Sequence, residues 1–200
     1  MAQLNADLAH MFGSENDSVY LGTYTPELAK QLEEVDSLET QVPDGLEDAG
    51  WLSEDGIELN FEDSTEDIRG FQGNGVVKLF MSESSTSIVA ALLESKLANV
   101  LNYIDAEPVD ATGESATRLR AKSARTVKNL CCVIDLRDTS NSEVKFRYVF
   151  PRVALGEREG LAFKNSEITA YNHTLKALGD YFVITNAPGM QSGQASGEEQ

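Results

Sequence analysis

The sequence has few of the residues from which disulfide frameworks and metal sites are built. Its 200 residues include two cysteines and two histidines. Cys131 and Cys132 are neighbours, so they cannot close the loops that staple a small secreted domain, and they suit a reducing compartment. With His10 and His173 they show none of the spacings typical of zinc ligands. The sequence therefore predicts no disulfide framework and no metal site.

The sequence also lacks long apolar segments and an early positive charge. No stretch approaches the 18 or more uninterrupted apolar residues of a membrane-spanning helix. Lys30 is the first lysine or arginine, so the basic start of a secretory signal and the Arg-rich pattern of a transit peptide are both missing. With 41% hydrophobic and 24% charged residues, the composition is that of a globular protein. We expect a soluble domain that is not exported.

Negative charge is abundant, and its excess over positive charge is confined to one end of the chain. Residues 1–67 hold 18 acidic side chains against one base, Lys30, whereas residues 68–200 hold 15 of each sign. A field of this kind repels nucleic acid and anionic membranes. The simplest interpretation is a solvated acidic segment.

The first 45 residues are predicted to form an acidic N-terminal arm with short helices. Thr25-Pro26-Glu27 has the pattern of a helix start, with a hydroxyl N-cap followed by proline at the first helical position. Leu28, Leu32 and Val35 then share one helix face. Because that stripe is small, we expect the arm to become ordered only when a neighbouring subunit covers it.

Residues 46–186 are predicted to form a mainly β domain with one flanking α-helix. Ile57, Leu59 and Phe61 alternate with polar residues, as a half-buried strand requires. Gly73-Asn74-Gly75 indicates a hairpin tip with positive φ, and Ser87 to Ile104 (residues 87–104) carry the strongest helical pattern. Further strands are predicted at residues 117–122, 127–137, 144–150, 167–178 and 181–185, with Pro151 ending the third of these. Residues 187–200 are predicted to be a flexible tail.

Enzymatic activity is not predicted. The spacing in Gly70 to Gly75 reverses the dinucleotide-binding fingerprint and precedes a strand rather than a helix, so no cofactor is indicated. Cys131 and Cys132 lie in an apolar strand, where buried small side chains are the ordinary explanation. Pairs of carboxylates are expected by chance among 33 acidic residues. No nucleophile, base or metal arrangement is recognisable.

One basic run stands out against the acidic background. Arg118, Arg120, Lys122 and Arg125 lie in a segment with no acid between Glu114 and Asp135. On a strand, the first three would share one face. A solvated face and a nucleic-acid contact are two interpretations, although no aromatic residues interleave the bases. The third is that these residues contact an acidic surface on another copy of the chain.

Six segments follow one another in a specific order along residues 17–185. They are Val19–Thr23, Asp48–Ile57, Ser64–Ile68, Phe71–Gly73, Tyr148–Ala154 and Glu167–Leu178. Taken in this order, they resemble the major tail tube proteins of long-tailed phages, particularly those of actinobacterial hosts. The family's helix would correspond to residues 87–104. The acidity of the arm and the apolar character of this helix segment depart from the family's usual pattern.

The resemblance implies a structural virion protein with a β-sandwich or barrel-like fold and no catalytic activity. Such subunits assemble into hexameric rings that stack into a tube, through which DNA passes into the host without specific binding. The implied partners are other copies of the chain, the tape measure protein and tail tip or terminator proteins, with no membrane. The implied location is the virion tail, after assembly in the host cytoplasm.

Two sets of residues are candidates for contacts in such a tube. Arg118, Arg120, Lys122, Arg125, Leu28, Leu32 and Val35 are candidates for contacts between subunits. Glu58, Asn60 and Glu62 are candidates for an acidic lumen, because an acidic wall repels DNA whereas a basic one would bind it. The alternative function is a carbohydrate- or peptide-binding β-sandwich module, which would be a monomer with a ligand-sized pocket.

Overall fold

A computed structural model describes residues 5–109 and 116–191. Over these residues the protein is mainly β, with one large antiparallel sheet, a small second sheet and two short helices. The prediction of a mainly β fold is confirmed. The ten strands are β1 (Ser18–Thr23), β2 (Glu47–Asp48), β3 (Leu52–Arg69), β4 (Val76–Leu92), β5 (Ala106–Val109), β6 (Arg118–Ala121), β7 (Lys128–Arg137), β8 (Lys145–Arg158), β9 (Tyr171–Ala177) and β10 (Phe182–Thr185). The helices are α1 (Pro26–Glu33) and α2 (Leu97–Tyr103), and a single 3₁₀ turn covers Ala6–Leu8.

The large sheet has eight strands in the order β2-β1-β7-β8-β9-β4-β3, with β10 also paired to β8. Both β10 and β9 pair with β8, the first along Phe146 to Val149 and the second from Val153 onward. β5 and β6 form the separate two-stranded sheet. This order leaves β3 as the long strand at one edge of the large sheet.

The core is divided between the two faces of the large sheet. One face carries the main apolar cluster, in which Phe150, Leu155 and Ile88 pack with Tyr103 of α2. The other face carries a smaller cluster covered by α1. Cys131 belongs to the smaller cluster and Cys132 to the main one, and both are buried, so the prediction of buried small side chains in a strand is confirmed.

The predicted N-terminal arm is wrong as a separate unit. β1 lies inside the sheet, where Ser18 to Thr23 pair with β7. The predicted helix start at Thr25 is confirmed, since its hydroxyl accepts a hydrogen bond from the backbone N–H of Leu28. The arm was predicted to be loose because its apolar residues are few. Its partners, however, are distant in sequence and belong to the same chain.

The apolar stripe of α1 is covered by the chain's own sheet. Leu28, Leu32 and Val35 are buried against three side chains of β7 and β8, which are Cys131, Val133 and Val149. The prediction that a neighbouring subunit covers this stripe is therefore wrong. These three residues are structural, and they are unavailable for contacts between subunits.

Arg147 fastens the segment after α1 to the sheet. Its guanidinium makes two hydrogen bonds to the Asp135 carboxylate, at 2.6 and 2.7 Å, and also donates to the carbonyl oxygens of Ser37 and Thr40. Hydrogen bonding to Asp135 raises the pKa of Arg147. A charged group that is almost wholly buried is thus fully partnered, and the segment it holds belongs to the β domain.

The predicted helix over residues 87–104 is wrong in its first half. β4 extends to Leu92, pairing with β3 on one side and with β9 on the other. Ile88, Ala90 and Leu92 are buried and point to one face, whereas Val89 and Ala91 point to the other. A strand that is apolar on both faces has no clear period of two, so its sequence imitates a helical stripe. Only Leu97–Tyr103 is helical.

Two further boundaries differ from the prediction for local reasons. β8 continues through Pro151, because Pro151 and Arg152 form a bulge opposite Cys131 of β7, where no proline N–H is needed, and the Cys131 thiol donates to the Pro151 carbonyl. Ala187 is buried against Val144 and Phe146, so the predicted tail does not begin there. The predicted flexible residues 192–200 lie outside the described residues.

Candidate assembly surfaces

The most prominent surface is a long hairpin formed by β3 and β4. β9 supports β4 only over Ser87–Leu92, and beyond that point β3 and β4 pair with each other alone. At about 3.3 Å per residue, residues 76–86 carry the hairpin roughly 35 Å past the last pairing with β9. Its tip has positive φ at Gly73 and Asn74, which confirms the turn that the sequence predicts. We call residues 61–86 the distal hairpin.

The distal hairpin exposes large apolar side chains that a solvated loop would not need. Phe71 at the tip is fully exposed, and Phe61 is 62% exposed. The others, each at least 46% exposed, are Ile68, Val76, Val77, Leu79, Phe80 and Met81. Scattered single residues of this kind are normal, but a contiguous group marks an interaction surface.

Both edges of the distal hairpin are free of further strands among the described residues. β3 is an edge strand along its whole length, and β4 has no second neighbour beyond Ser87. Free edges expose backbone N–H and C=O groups that readily pair with another strand. A two-stranded ribbon by itself is also only marginally stable in water. Another chain added to this ribbon would therefore stabilise it.

The register of the hairpin separates its two faces. Ile57 and Leu59 point toward the main core and are half-buried, as predicted, but Phe61 lies past the edge of the core and is exposed. Glu58, Asn60 and Glu62 point to the opposite face and are exposed. The prediction that they line a lumen stays a prediction.

The strand pairing shows which residues share a face with Glu58 along the whole hairpin. We call this the acidic face. From the body outward it carries Glu58, Asn60, Glu62, Ser64, Glu66 and Ile68 on β3, with Glu83, Phe80 and Lys78 among their partners on β4.

The predicted basic run forms one strand of the small sheet and the segment after it. Arg118 and Arg120 lie on β6, and Lys122 and Arg125 follow; all four are exposed. Arg120 forms an ion pair with Glu107 of β5, and Lys122 lies 3.7 Å from the carboxylate of Asp105. For Arg118 and Arg125, the described part of the chain contains no ion-pair partner. We call β5, β6 and residues 122–125 the basic ribbon.

Asp105 fixes the basic ribbon to the body of the protein. Its carboxylate is 1% exposed, lies 2.7 Å from the Lys128 ammonium and accepts hydrogen bonds from both the N–H and the hydroxyl of Thr126. Its carbonyl accepts from the N–H of Lys122, and its φ of 51° lies in the left-handed region. The Lys128 hydrogen bond, followed by that of the Thr126 N–H, holds the pKa of Asp105 well below its usual range.

Asp105 is expected to contribute stability that depends on pH. Because its pKa is lower in the folded than in the unfolded chain, this contribution is present above about pH 4 and is lost as the pH falls below it. Asp105→Ala should cost about 1.5–3 kcal/mol at neutral pH, through lost hydrogen bonds to a charged group. Asparagine tolerates the left-handed backbone, so Asp105→Asn should lower the free energy of unfolding by less than Asp105→Ala does. It should also weaken the loss of stability as the pH falls from 4 to 3. Urea unfolding of the parent and the two variants from pH 3 to 7 measures both effects. If all three lost stability equally at low pH, the pH-dependent role of Asp105 would be contradicted.

The two histidines and two cysteines are held in structural positions. The His173 ring is buried and its Nδ1 lies 2.8 Å from the Tyr171 carbonyl oxygen; burial lowers its pKa. His10 contacts Asp138, with 2.7 Å between Nδ1 and Oδ2. Burial raises the pKa of the Cys131 thiol to about 11 and raises that of Cys132 further still. Neither thiol is therefore poised to act as a nucleophile.

Two surface grooves are lined mainly by polar residues. One, of about 610 Å³, lies between the distal hairpin and Lys176 and is lined by Glu62, Asp63, Glu83 and four serines. The other, of about 280 Å³, includes the Arg147 and Asp135 pair described above. In residues 5–109 and 116–191, no group of three His, Cys, Asp or Glu side chains is placed to hold a metal ion. The same residues include no helix long and apolar enough to cross a membrane.

Sequence reasoning missed the apolar part of the candidate assembly surface. Val76, Leu79 and Met81 fit a strand, and nothing in that pattern distinguishes a strand in the core from one that projects into solvent. A signal was present on the other strand, because β3 has only one large apolar residue, Ile68, between Phe61 and the turn. No family model matches the chain, and no curated protein matches it either.

Proposed function

We propose that this protein is a structural subunit that assembles with copies of itself into stacked rings, forming a phage tail tube that conducts DNA. The observation that carries the proposal is the distal hairpin. It exposes apolar side chains and free strand edges, while making no contribution to the chain's own core. Natural proteins usually shorten, charge or cover such edges to prevent association. Here β3 is charged but long, and β4 beyond Ser87 has a free edge with the exposed apolar residues Leu79 and Phe80.

A second copy is the favoured partner because the chain supplies complementary surfaces. Residues 1–67 are strongly acidic, and the basic ribbon presents bases on a separate small sheet. Complementary charge fixes orientation and suppresses incorrect partners. A surface that pairs with a different surface on the next copy generates rings or filaments. A tube made of stacked rings belongs to this class of assembly.

Conduction of DNA is supported by the resemblance and by the net charge. The excess of negative charge over the chain is 17, so a tube made from it would not bind the phosphate backbone through counterion release. Within such a tube the acidic face has two possible roles. It lines the lumen, as the sequence predicts, or it contacts the next subunit.

Peptide binding is the competing function that uses the same feature. An extended peptide could add to the free edge of β3, as in other cases of strand addition. For carbohydrate binding, the 610 Å³ groove offers no aromatic residue in its lining, whereas the 280 Å³ groove includes Tyr20 and Phe146. The peptide-binding module would remain a monomer at high concentration, whereas the tube subunit would not.

Sedimentation velocity over a range of protein concentrations tests the proposal. The tube subunit should show a growing population of species far larger than the monomer, and negative-stain images of that population should show rings or tubes. Because apolar burial drives the association, the assembled fraction should persist on moderate dilution. A single monomeric species up to about 10 mg/ml would contradict the proposal and favour the peptide-binding module.

A further inference from the structure

The acidic face and the basic ribbon carry opposite charges on separate exposed surfaces. Glu58 and Glu62 lie four residues apart on β3, which is about 13 Å along the strand, and Arg118 and Arg120 lie on β6 with Lys122 and Arg125 just beyond it. Alternate residues of a strand point to one face. All of these side chains are exposed. The two surfaces are therefore complementary in charge.

We propose that the acidic face of the distal hairpin of one copy docks on the basic ribbon of the next copy, in a head-to-tail arrangement. This inference rests on the proposed self-assembly and names the surfaces that meet. Glu58 and Glu62 are the acidic contacts. Arg118 and Arg125 are the basic contacts.

The charge distribution disfavours a symmetric contact between two hairpins. If β3 paired with β3 of a second copy about a two-fold axis, the carboxylates of Glu58, Glu62 and Glu66 would approach the same carboxylates of the partner. Like charges directly opposite each other on paired strands are destabilising. A contact with a basic surface removes this repulsion. The distal hairpin therefore meets a different surface of its neighbour.

The apolar residues of the acidic face favour a covered surface over a wet lumen. Ile68 and Phe80 lie on this face near the tip and are 50% and 46% exposed. In a water-filled channel they would remain hydrated, whereas docking that extends from Glu62 toward the tip would bury them.

The ion pairs inside the basic ribbon show which bases are available to a neighbour. Arg120 is occupied by Glu107, and Lys122 lies beside the buried Asp105 carboxylate. These pairs also hold the ribbon in shape. Arg118 and Arg125, by contrast, are exposed and have no ion-pair partner in the parts of the chain that the structure describes. They are the positions at which a charge change should affect docking without disturbing the ribbon.

A charge-exchange experiment tests the docking. One variant carries Glu58→Lys and Glu62→Lys, and a second carries Arg118→Glu and Arg125→Glu. Each alone places like charges at the contact, so we expect its assembled fraction to fall about tenfold or more at low salt, as measured by sedimentation. An equimolar mixture should recover assembly, because each reversed surface meets the reversed surface of the other variant. A chain with all four changes should recover it as well.

Matched controls carry the same changes in charge elsewhere. Glu15→Lys with Glu33→Lys, and Lys30→Glu with Lys164→Glu, change exposed residues outside both surfaces. They should assemble like the parent. Far-UV circular dichroism of every variant checks that it is folded.

The possible outcomes separate the docking from the function on which it rests. If the parent assembles and the two reversed variants assemble equally well, or if the mixture fails to recover, the docking is wrong and the proposed function stands. If the Glu58 and Glu62 variant assembles normally but slows DNA ejection from virions that contain it, those residues line the lumen instead, which also overturns the docking. A parent that never assembles contradicts both.

Discussion

Shortening the hairpin should abolish assembly and leave the fold intact. In this variant an Asn-Gly turn replaces residues 62–85, so that two residues connect Phe61 to its cross-strand partner Thr86. Asn-Gly is a favoured two-residue hairpin turn. The removed residues lie outside all three apolar clusters, so the melting temperature should change by only a few degrees. The assembled fraction, measured by sedimentation velocity, should fall below detection.

A second variant tests whether a change of sequence at the tip, without shortening, affects assembly. Gln72→Ala with Asn74→Gly keeps the length of the hairpin and its positive φ at position 74, and it should assemble like the parent. If the shortened protein still assembles, the distal hairpin is not the assembly surface. If the shortened protein unfolds, the assignment of the distal hairpin as independent of the core is wrong.

Leu32→Ala should destabilise the monomer strongly. Leu32 is completely buried between α1 and the sheet, and replacing a buried leucine by alanine costs about 2–5 kcal/mol. Under the earlier expectation of a loose arm, the same change would leave the monomer's stability unaltered. Leu32→Ala is best made in the variant with the shortened hairpin, at a concentration where that variant is monomeric. Urea unfolding then measures the free energy of unfolding without contributions from assembly.

Lys30→Ala is the matched control on the same helix. The Lys30 side chain is 76% exposed and its ion pair with Glu34 spans 3.9 Å, so its loss should change the free energy of unfolding by less than about 0.5 kcal/mol. Amide hydrogen exchange gives an independent measure, since α1 should be protected in the monomer. A Leu32→Ala effect as small as the control, together with an unprotected α1, would show that the helix is not docked.

Patterns that depend on adjacent residues could be predicted from the sequence. Phe146, Tyr148 and Phe150 alternate with Arg147 and Val149 as a strand with two different faces, and the structure has this arrangement. The helix start at Thr25 and the turn at Asn74 are likewise local, because each is determined by the hydrogen bonding or backbone freedom of one or two residues.

Features that depend on distant partners could not be predicted in this way. β1 and α1 belong to the fold because of contacts with β7 and β8, more than a hundred residues later. Pro151 is accommodated by a bulge in β8 opposite Cys131, and that bulge depends on the register with β7, which the sequence around Pro151 does not reveal. Residues 88–92 pack on both faces, so their apolar pattern lost the period that would have identified a strand.

The candidate site was predicted in part. The exposed basic run and the acidic side of β3 follow from charge and alternation. Exposure of Leu79 and Phe80 depends instead on where the sheet ends, which is determined by the length of β9. The ion pairs that occupy Arg120 and Lys122 depend on the folding of β5 beside β6. Neither can be inferred from local periodicity.

Electron cryomicroscopy of the concentrated full-length protein is the most direct test of self-assembly through the hairpin. The account predicts rings or tubes in which the distal hairpin of each subunit lies against the next subunit and its apolar side chains are covered. Particles that remain single subunits, or rings in which the hairpin projects into solvent without touching a neighbour, would contradict it.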